Sequence, residues 1–234
     1  MICIPVVATT NEAALAQMER SAPLADCLEL RIDRITDCDL EQLMNGKRTG
    51  MRILVTNRRA DEGGGFAGTE RQRIELLKHA VALGADYVDI EARTAKPLLR
   101  ELVAQIEKHK GRTRWIISYH DLQGTPSEGA LKKRFDAYTR TGADIVKICT
   151  YAREMDDNLR VLGLIPYARK KDRTIIALCM GEKGRISRVM APLLGSYLSY
   201  ASLEKGAESA PGQLTIGEMK EIQQILHAAG TEEH

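Results

Sequence analysis

The sequence predicts a single-domain (β/α)8 barrel, in which eight parallel strands close on themselves inside a ring of helices. Three observations predict it. Eight short β-rich runs begin at intervals of roughly 23 to 35 residues, with helical patterns filling most gaps. No low-complexity linker divides the 234 residues, a length such barrels reach as one domain. Finally, "GADYVDIE" and "GADIVKIC" are near copies, each with a Gly that ends a helix and a strand directly behind it.

The strands are expected at 3–8, 27–33, 52–58, 87–91, 114–120, 145–150, 174–180 and 197–202. The first helix, 11–20, opens at a possible capping Asn11, and the one after the second strand is short, near 39–44. At 69–83, Thr69 followed by Gln72 forms a capping-box pattern and Gly84 is the stop. The helix at 97–110 has Pro97 in its first turn and stops at Gly111, and 127–141 stops at Gly142. Helices at 154–171, 187–194 and 216–229 complete the set, with a loosely held tail near 230–234. An open doubly wound sheet competes with the barrel, but "VVATTNEAAL" follows the first strand and contains no GxGxxG.

Bulk properties narrow the function class. A net charge of +2 is too balanced to argue for nucleic acid or a membrane surface. The apolar start, residues 1–8, lacks the basic lead-in of a signal peptide, and no stretch approaches membrane-span length, so a cytoplasmic location is expected. The five cysteines include no CxxC pair and read as reduced thiols rather than a disulfide framework or zinc site. Outside "SYHD" the histidines lie on helical patterns or near the C-terminus, so no metal is expected.

Side chains alternate along a strand. In "CLELRID", Leu28, Leu30 and Ile32 take one face, and Glu29, Arg31 and Asp33 the other. A barrel's outer face packs on helices, so the charged face should line the lumen near the carboxyl ends of the strands, where this fold carries its chemistry. Thr56 with Arg58, Asp89 with Glu91, and Ser118 with His120 repeat the pattern. Any one of these could be a strand-end salt bridge. Lys147 is harder to explain that way, because an amine between Val146 and Ile148 is costly unless paired or functional. "RRADEGGGFAGT" suits close approach to a ligand, "MGEKGRISR" offers backbone amides and two arginines, and "EKGAESAPGQL" suits either a connection or a lid.

"ELRID", "RRADEGG", "SYHD", "GADIVKI", "MGEKGRISR" and "SAPGQL" occur in this order at barrel spacing. Together they resemble type I 3-dehydroquinate dehydratase, the Schiff-base hydro-lyase of the shikimate pathway of aromatic amino acid biosynthesis. The resemblance covers nearly the whole chain. It implies a cofactor-free homodimer that converts 3-dehydroquinate to 3-dehydroshikimate and water. It implies that Lys147 forms the imine, His120 transfers the proton and Glu62 orients that histidine. Glu29, Arg31 and Arg58 would hold the polar substituents of the ring, Arg188 would clamp the carboxylate, Met180 would give an apolar wall, and Ser209 and Gln213 would close over the ligand. Two departures touch the pocket wall and lid: Leu178 stands where many members have a second Met, and "SYASLEKG" has little aromatic character.

The chemistry explains the residue types. An iminium is a better electron sink than a ketone, and a histidine can serve as base and then acid near neutral pH. The attacking lysine must be neutral, and burial together with Arg31, Arg58 and Arg188 is expected to lower its pKa. A class I aldolase shares the barrel and the lysine but not "SYHD" or "SAPGQ". A catalytically silent barrel binding a small acid would be marked by loss of the lysine or histidine, and both are present.

Overall fold

The computed structural model describes residues 1–228; the expected tail and residue 229 of the last helix lie outside the described residues. Eight parallel strands run in the order β7-β6-β5-β4-β3-β2-β1-β8. They are β1 (Ile2–Val6), β2 (Cys27–Arg31), β3 (Arg52–Thr56), β4 (Tyr87–Glu91), β5 (Arg114–Asp121), β6 (Ile145–Tyr151), β7 (Ile175–Met180) and β8 (Ser199–Tyr200). The helices are α1 (Asn11–Ser21), α2 (Leu40–Asn45), α3 (Glu70–Ala82), α4 (Lys96–Lys108), α5 (Glu128–Thr139), α6 (Asp157–Leu162), α7 (Leu164–Arg169), α8 (Arg185–Leu194) and α9 (Ile216–Ala228). The expected barrel and its βα order are therefore observed.

Period-two alternation divides the core in two. Leu28, Leu30, Val146 and Ile148 face outward into the layer packed on the helices. Cys27 and Ile145 turn inward onto a lumen floor built with Cys3, Leu54, Ile116, Ile176 and Leu198. The polar members of the inward face sit above that floor, toward the carboxyl ends of the strands, as the sequence pattern requires.

Local chemistry fixes the elements. Thr69 and Gln72 close a reciprocal capping box at α3, with Gln72 Oε1 accepting the Thr69 amide at 2.8 Å; a cap of this kind contributes about 1 kcal/mol. The near-copy junctions share a device beyond their glycines. Asp86 Oδ2 accepts the Ile53 amide at 2.8 Å and Asp144 Oδ2 the Trp115 amide at 2.9 Å. Asp26 does the same for Ile2 at 2.7 Å. In each case the aspartate just before one strand caps the amino end of the strand before it, which fixes the stagger between neighbours.

Several boundaries differ from expectation: the first strand ends at Val6 rather than residue 8, and the third at Thr56 rather than residue 58. The second strand stops at Arg31, and Ile32–Arg34 turns as a short 3-10 segment. The helix expected at 154–171 divides into α6 and α7 at Gly163. The division places Pro166 in a first turn, where its missing N–H leaves no broken bond. The eighth strand is only two residues long: it pairs with β1, and Ser202 already bridges to Thr215.

Candidate active site

At the carboxyl end of the barrel a cavity of about 280 Å³ opens over the lumen. This is near the small end of the range for ligand pockets and suits one small ring. Its lining includes all ten residues that the sequence placed in the site: Glu29, Arg31, Arg58, Glu62, His120, Lys147, Met180, Arg188, Ser209 and Gln213. It also includes Cys149, Leu178, Leu122 and Tyr200. Asp33, expected on the lumen face, instead lies behind the wall and braces it, accepting two bonds from Arg31 at 2.8 and 2.7 Å and the Gly65 amide at 3.0 Å.

Neighbouring strands supply a continuous charge network. Asp89 on β4 accepts from Arg58 Nη1 at 3.0 Å and Nη2 at 2.9 Å, from the Ser118 hydroxyl at 2.5 Å and from Lys147 Nζ at 2.9 Å. Arg58 also reaches Glu91 at 2.9 Å. Glu29 accepts from the Thr56 hydroxyl at 2.7 Å and stands 3.8 Å from Lys147 Nζ. Burial alone would push the Asp89 carboxyl up, but Arg58 and Lys147 outweigh it and hold Asp89 well below the usual carboxylate range.

Lys147 comes from the middle of β6, next to Ser118 in register, and is 4% exposed. Its protonation corrects the sequence expectation. Burial and Arg58 do push its pKa down, but Asp89 and Glu29 push harder, so the net shift is upward. Counting arginines in the sequence missed the carboxylates that face them. The resting side chain is an ammonium, and its proton must leave before it can act as a nucleophile.

His120 follows two residues after Ser118 on β5, with its side chain 9% exposed. Burial, then Arg58 and Lys147, push its pKa well below the ordinary histidine value, so the ring is neutral. Glu62 approaches from the loop after β3. Its Oε2 accepts the His120 backbone amide at 2.9 Å and lies 3.0 Å from Nδ1. With Nδ1–H donating to Glu62, Nε2 is left as the base. Burial and Glu91 raise the Glu62 carboxyl to about 7. Gly64 permits this placement: a Cβ there would collide with the backbone of Arg58.

The opposite wall is different. Leu178 and Met180 from β7 and Cys149 from β6 make it apolar. In its midst Arg188 of α8 is 1% exposed and, among the described residues, has no carboxylate partner; its one bond is a long 3.3 Å contact to the Pro211 carbonyl, and Nε has none. Burial pulls its pKa down to about 10. A guanidinium in this state is a seat for an anion. The segment 209–213 covers that wall. Ser209 and Gln213 bond each other at 2.9 and 3.0 Å, and Gly181 donates to the Pro211 carbonyl at 2.9 Å. Gly212, at φ +79°, lies against Gly181 so closely that no Cβ would fit.

Among the described residues, no group of three or more His, Cys, Asp or Glu side chains is placed to hold a metal ion, and no helix is long and apolar enough to cross a membrane. His79 sits exposed beside Glu41 at 3.4 Å, while His234 lies outside the described residues.

Comparison with known proteins agrees with the geometry. The family model for type I 3-dehydroquinase matches residues 2–230. The 3-dehydroquinate dehydratase of Methanococcus maripaludis (strain C7) is 36% identical over 227 residues, covering 97% of this chain and 100% of that protein. The enzyme of the same name from Methanocaldococcus jannaschii is 37% identical over 226 residues, covering 97% and 99%. Among solved structures, the type I 3-dehydroquinate dehydratase of Clostridium difficile with covalent modified comenic acid superposes with a TM-score of 0.87 at 25% identity, covering 97% of this chain and 92% of that one.

Proposed function

The chain belongs to the type I 3-dehydroquinase family and is a hydro-lyase, and on that premise we propose that it dehydrates 3-dehydroquinate through an imine on Lys147, with His120 as acid and base. The observation that carries the mechanism is that a buried lysine, a buried neutral histidine and an unpaired buried arginine line one cavity. The three match an electron sink, a proton carrier and a carboxylate clamp. The covalent ligand of the Clostridium difficile relative supports covalent capture in a site of this kind.

The substrate carboxylate forms two parallel bonds with Arg188, which fixes the ring against Met180 and Leu178. Ser209 and Gln213 close over it, and Glu29, Arg31 and Arg58 face its polar substituents. Lys147 gives up one ammonium proton. Because the Lys147 charge is one of those that keep His120 neutral, its loss makes the histidine more basic. The amine lone pair then forms the C–N bond as the carbonyl π pair moves to oxygen. That oxygen takes protons and leaves as water, which gives the iminium.

His120 next removes a proton from the carbon beside the iminium, and the C–H electron pair moves into the C–N unit as an enamine. The enamine expels the hydroxyl two carbons from the original ketone carbon, and the protonated His120 returns its proton to it, so water departs. Hydrolysis of the product imine frees 3-dehydroshikimate and Lys147. Glu62 holds Nδ1 throughout and keeps Nε2 aimed at the substrate.

The test is to mix the protein with 3-dehydroquinate, add borohydride and map the adduct by peptide mass spectrometry. A ligand adduct on Lys147 is expected. Turnover without an adduct would refute the imine route.

A further inference from the structure

Besides the two carboxylates, Lys147 Nζ has a partner that the mechanism above does not use. It donates to the hydroxyl of Tyr200 on β8 at 2.8 Å, and it lies 4.6 Å from the centroid of that ring. Tyr200 is 4% exposed, sits over the lumen floor beside Cys3 and lines the cavity. Among the described residues its own O–H has no acceptor.

We propose that Tyr200 is a positioning residue for imine formation: with Asp89 it fixes two N–H bonds of Lys147, so that the lone pair lies along the remaining direction. This rests on the imine reading. A tetrahedral nitrogen has four directions. One holds Cε, one points to Asp89 at 2.9 Å and one to Tyr200 at 2.8 Å. Glu29, at 3.8 Å, is too far for a hydrogen bond and leaves the fourth direction unclaimed. The ammonium proton on that fourth direction is the one that departs, and the lone pair it leaves is already aimed.

The test compares wild type with Tyr200→Phe, which keeps the ring and its packing. Imine formation is followed by rapid mixing with 3-dehydroshikimate, the product ketone, and borohydride quenching at intervals across a range of pH. The variant is expected to form the Lys147 adduct roughly 100-fold more slowly, the scale of loss for a misaimed reactive group. Its pH midpoint should move to lower pH, because the ammonium has lost an acceptor. The rate therefore falls while the neutral fraction rises, a combination that a purely structural role does not produce. Affinity for quinate, which lacks the ketone, should be unchanged. A variant rate and midpoint equal to wild type would overturn the Tyr200 role and leave the imine intact. Quinate affinity falling in step with the rate would overturn it in favour of a structural role. Absence of any adduct on wild type would overturn both readings.

Discussion

The two walls of the pocket are built on opposite electrostatic principles. On the side of β2 to β6, each charged group has an opposite partner: Arg58 with Asp89 and Glu91, Arg31 with Asp33, Lys147 with Asp89. On the side of β7 and α8, Arg188 is buried beside apolar side chains and has no carboxylate partner among the described residues. The paired wall is complete before substrate arrives, whereas the other wall is completed by the substrate's carboxylate. The difference separates the work of the site: the paired wall handles protons and covalent bonds, and the unpaired wall supplies affinity and orientation.

Five substitutions can break or sharpen this division. The largest effect belongs to the paired wall. His120→Ala is expected to lower kcat by about 10²–10⁴-fold while the variant still forms the Lys147 adduct; a near-normal rate would remove His120 from the chemistry. Asp89→Asn should destabilise the fold by about 3 kcal/mol or more in urea titrations, since it strips Arg58 and Lys147 of a shared buried partner. The same substitution should shift the pH midpoint of adduct formation downward, because Asp89 is the strongest of the groups raising the Lys147 pKa. An unmoved midpoint would mean that Asp89 does not govern the amine.

The unpaired wall should respond in the opposite sense. Arg188→Met is expected to weaken quinate binding by about 2–5 kcal/mol while raising the unfolding free energy by about 1–4 kcal/mol, because it removes a buried charge that has no partner. Arg188→Lys should raise KM with a smaller change in kcat, since an ammonium cannot form the two-point clamp. Either variant losing stability and affinity together would show that Arg188 is satisfied in the free protein.

The smallest effect concerns pH. The folded His120 stays neutral where an unfolded histidine takes up a proton below about 6.5, so acidification costs folding stability. Glu62, raised to about 7, keeps a proton in the folded state that an unfolded glutamate has lost, so acidification favours folding through the same window. Between pH 7 and 5.5 the two nearly cancel. Glu62→Gln should expose the histidine alone, losing about 1 kcal/mol more than wild type over that interval in denaturant titrations. Parallel pH curves for the two proteins would contradict the pairing.

The architecture and the strand-borne part of the cavity lining were legible because both follow from periodicity, whereas Glu62, Arg188, Ser209 and Gln213 lie off the strands and were legible only through the family resemblance. Glu29 and Arg31, Ser118 and His120, and Lys147 between two outward apolar neighbours all declare an inward polar face by spacing of two. What spacing does not carry is distance across strands. The sign of the Lys147 shift depends on Asp89 at 2.9 Å, and no reading along one strand reveals that separation. Tyr200 was missed for a related reason: between Ser199 and Ala201 at the end of a short strand its ring reads as ordinary core, and only the position of Lys147 shows where its hydroxyl points. The brevity of β8 and the break at Gly163 were hidden because alternation and helical period continue past the points where backbone pairing stops.

That short strand has a consequence for how the molecule is made. The outer edge of β1 is covered by the short stretch Ser199–Ala201, among the last residues of the barrel to be synthesised. At about 5–20 residues per second, β1 waits on the order of 10 to 40 s after translation for its closing partner. During that time the growing sheet presents an open edge that another nascent chain could extend. The residues that finish the barrel are thus also those that end its exposure to misassembly.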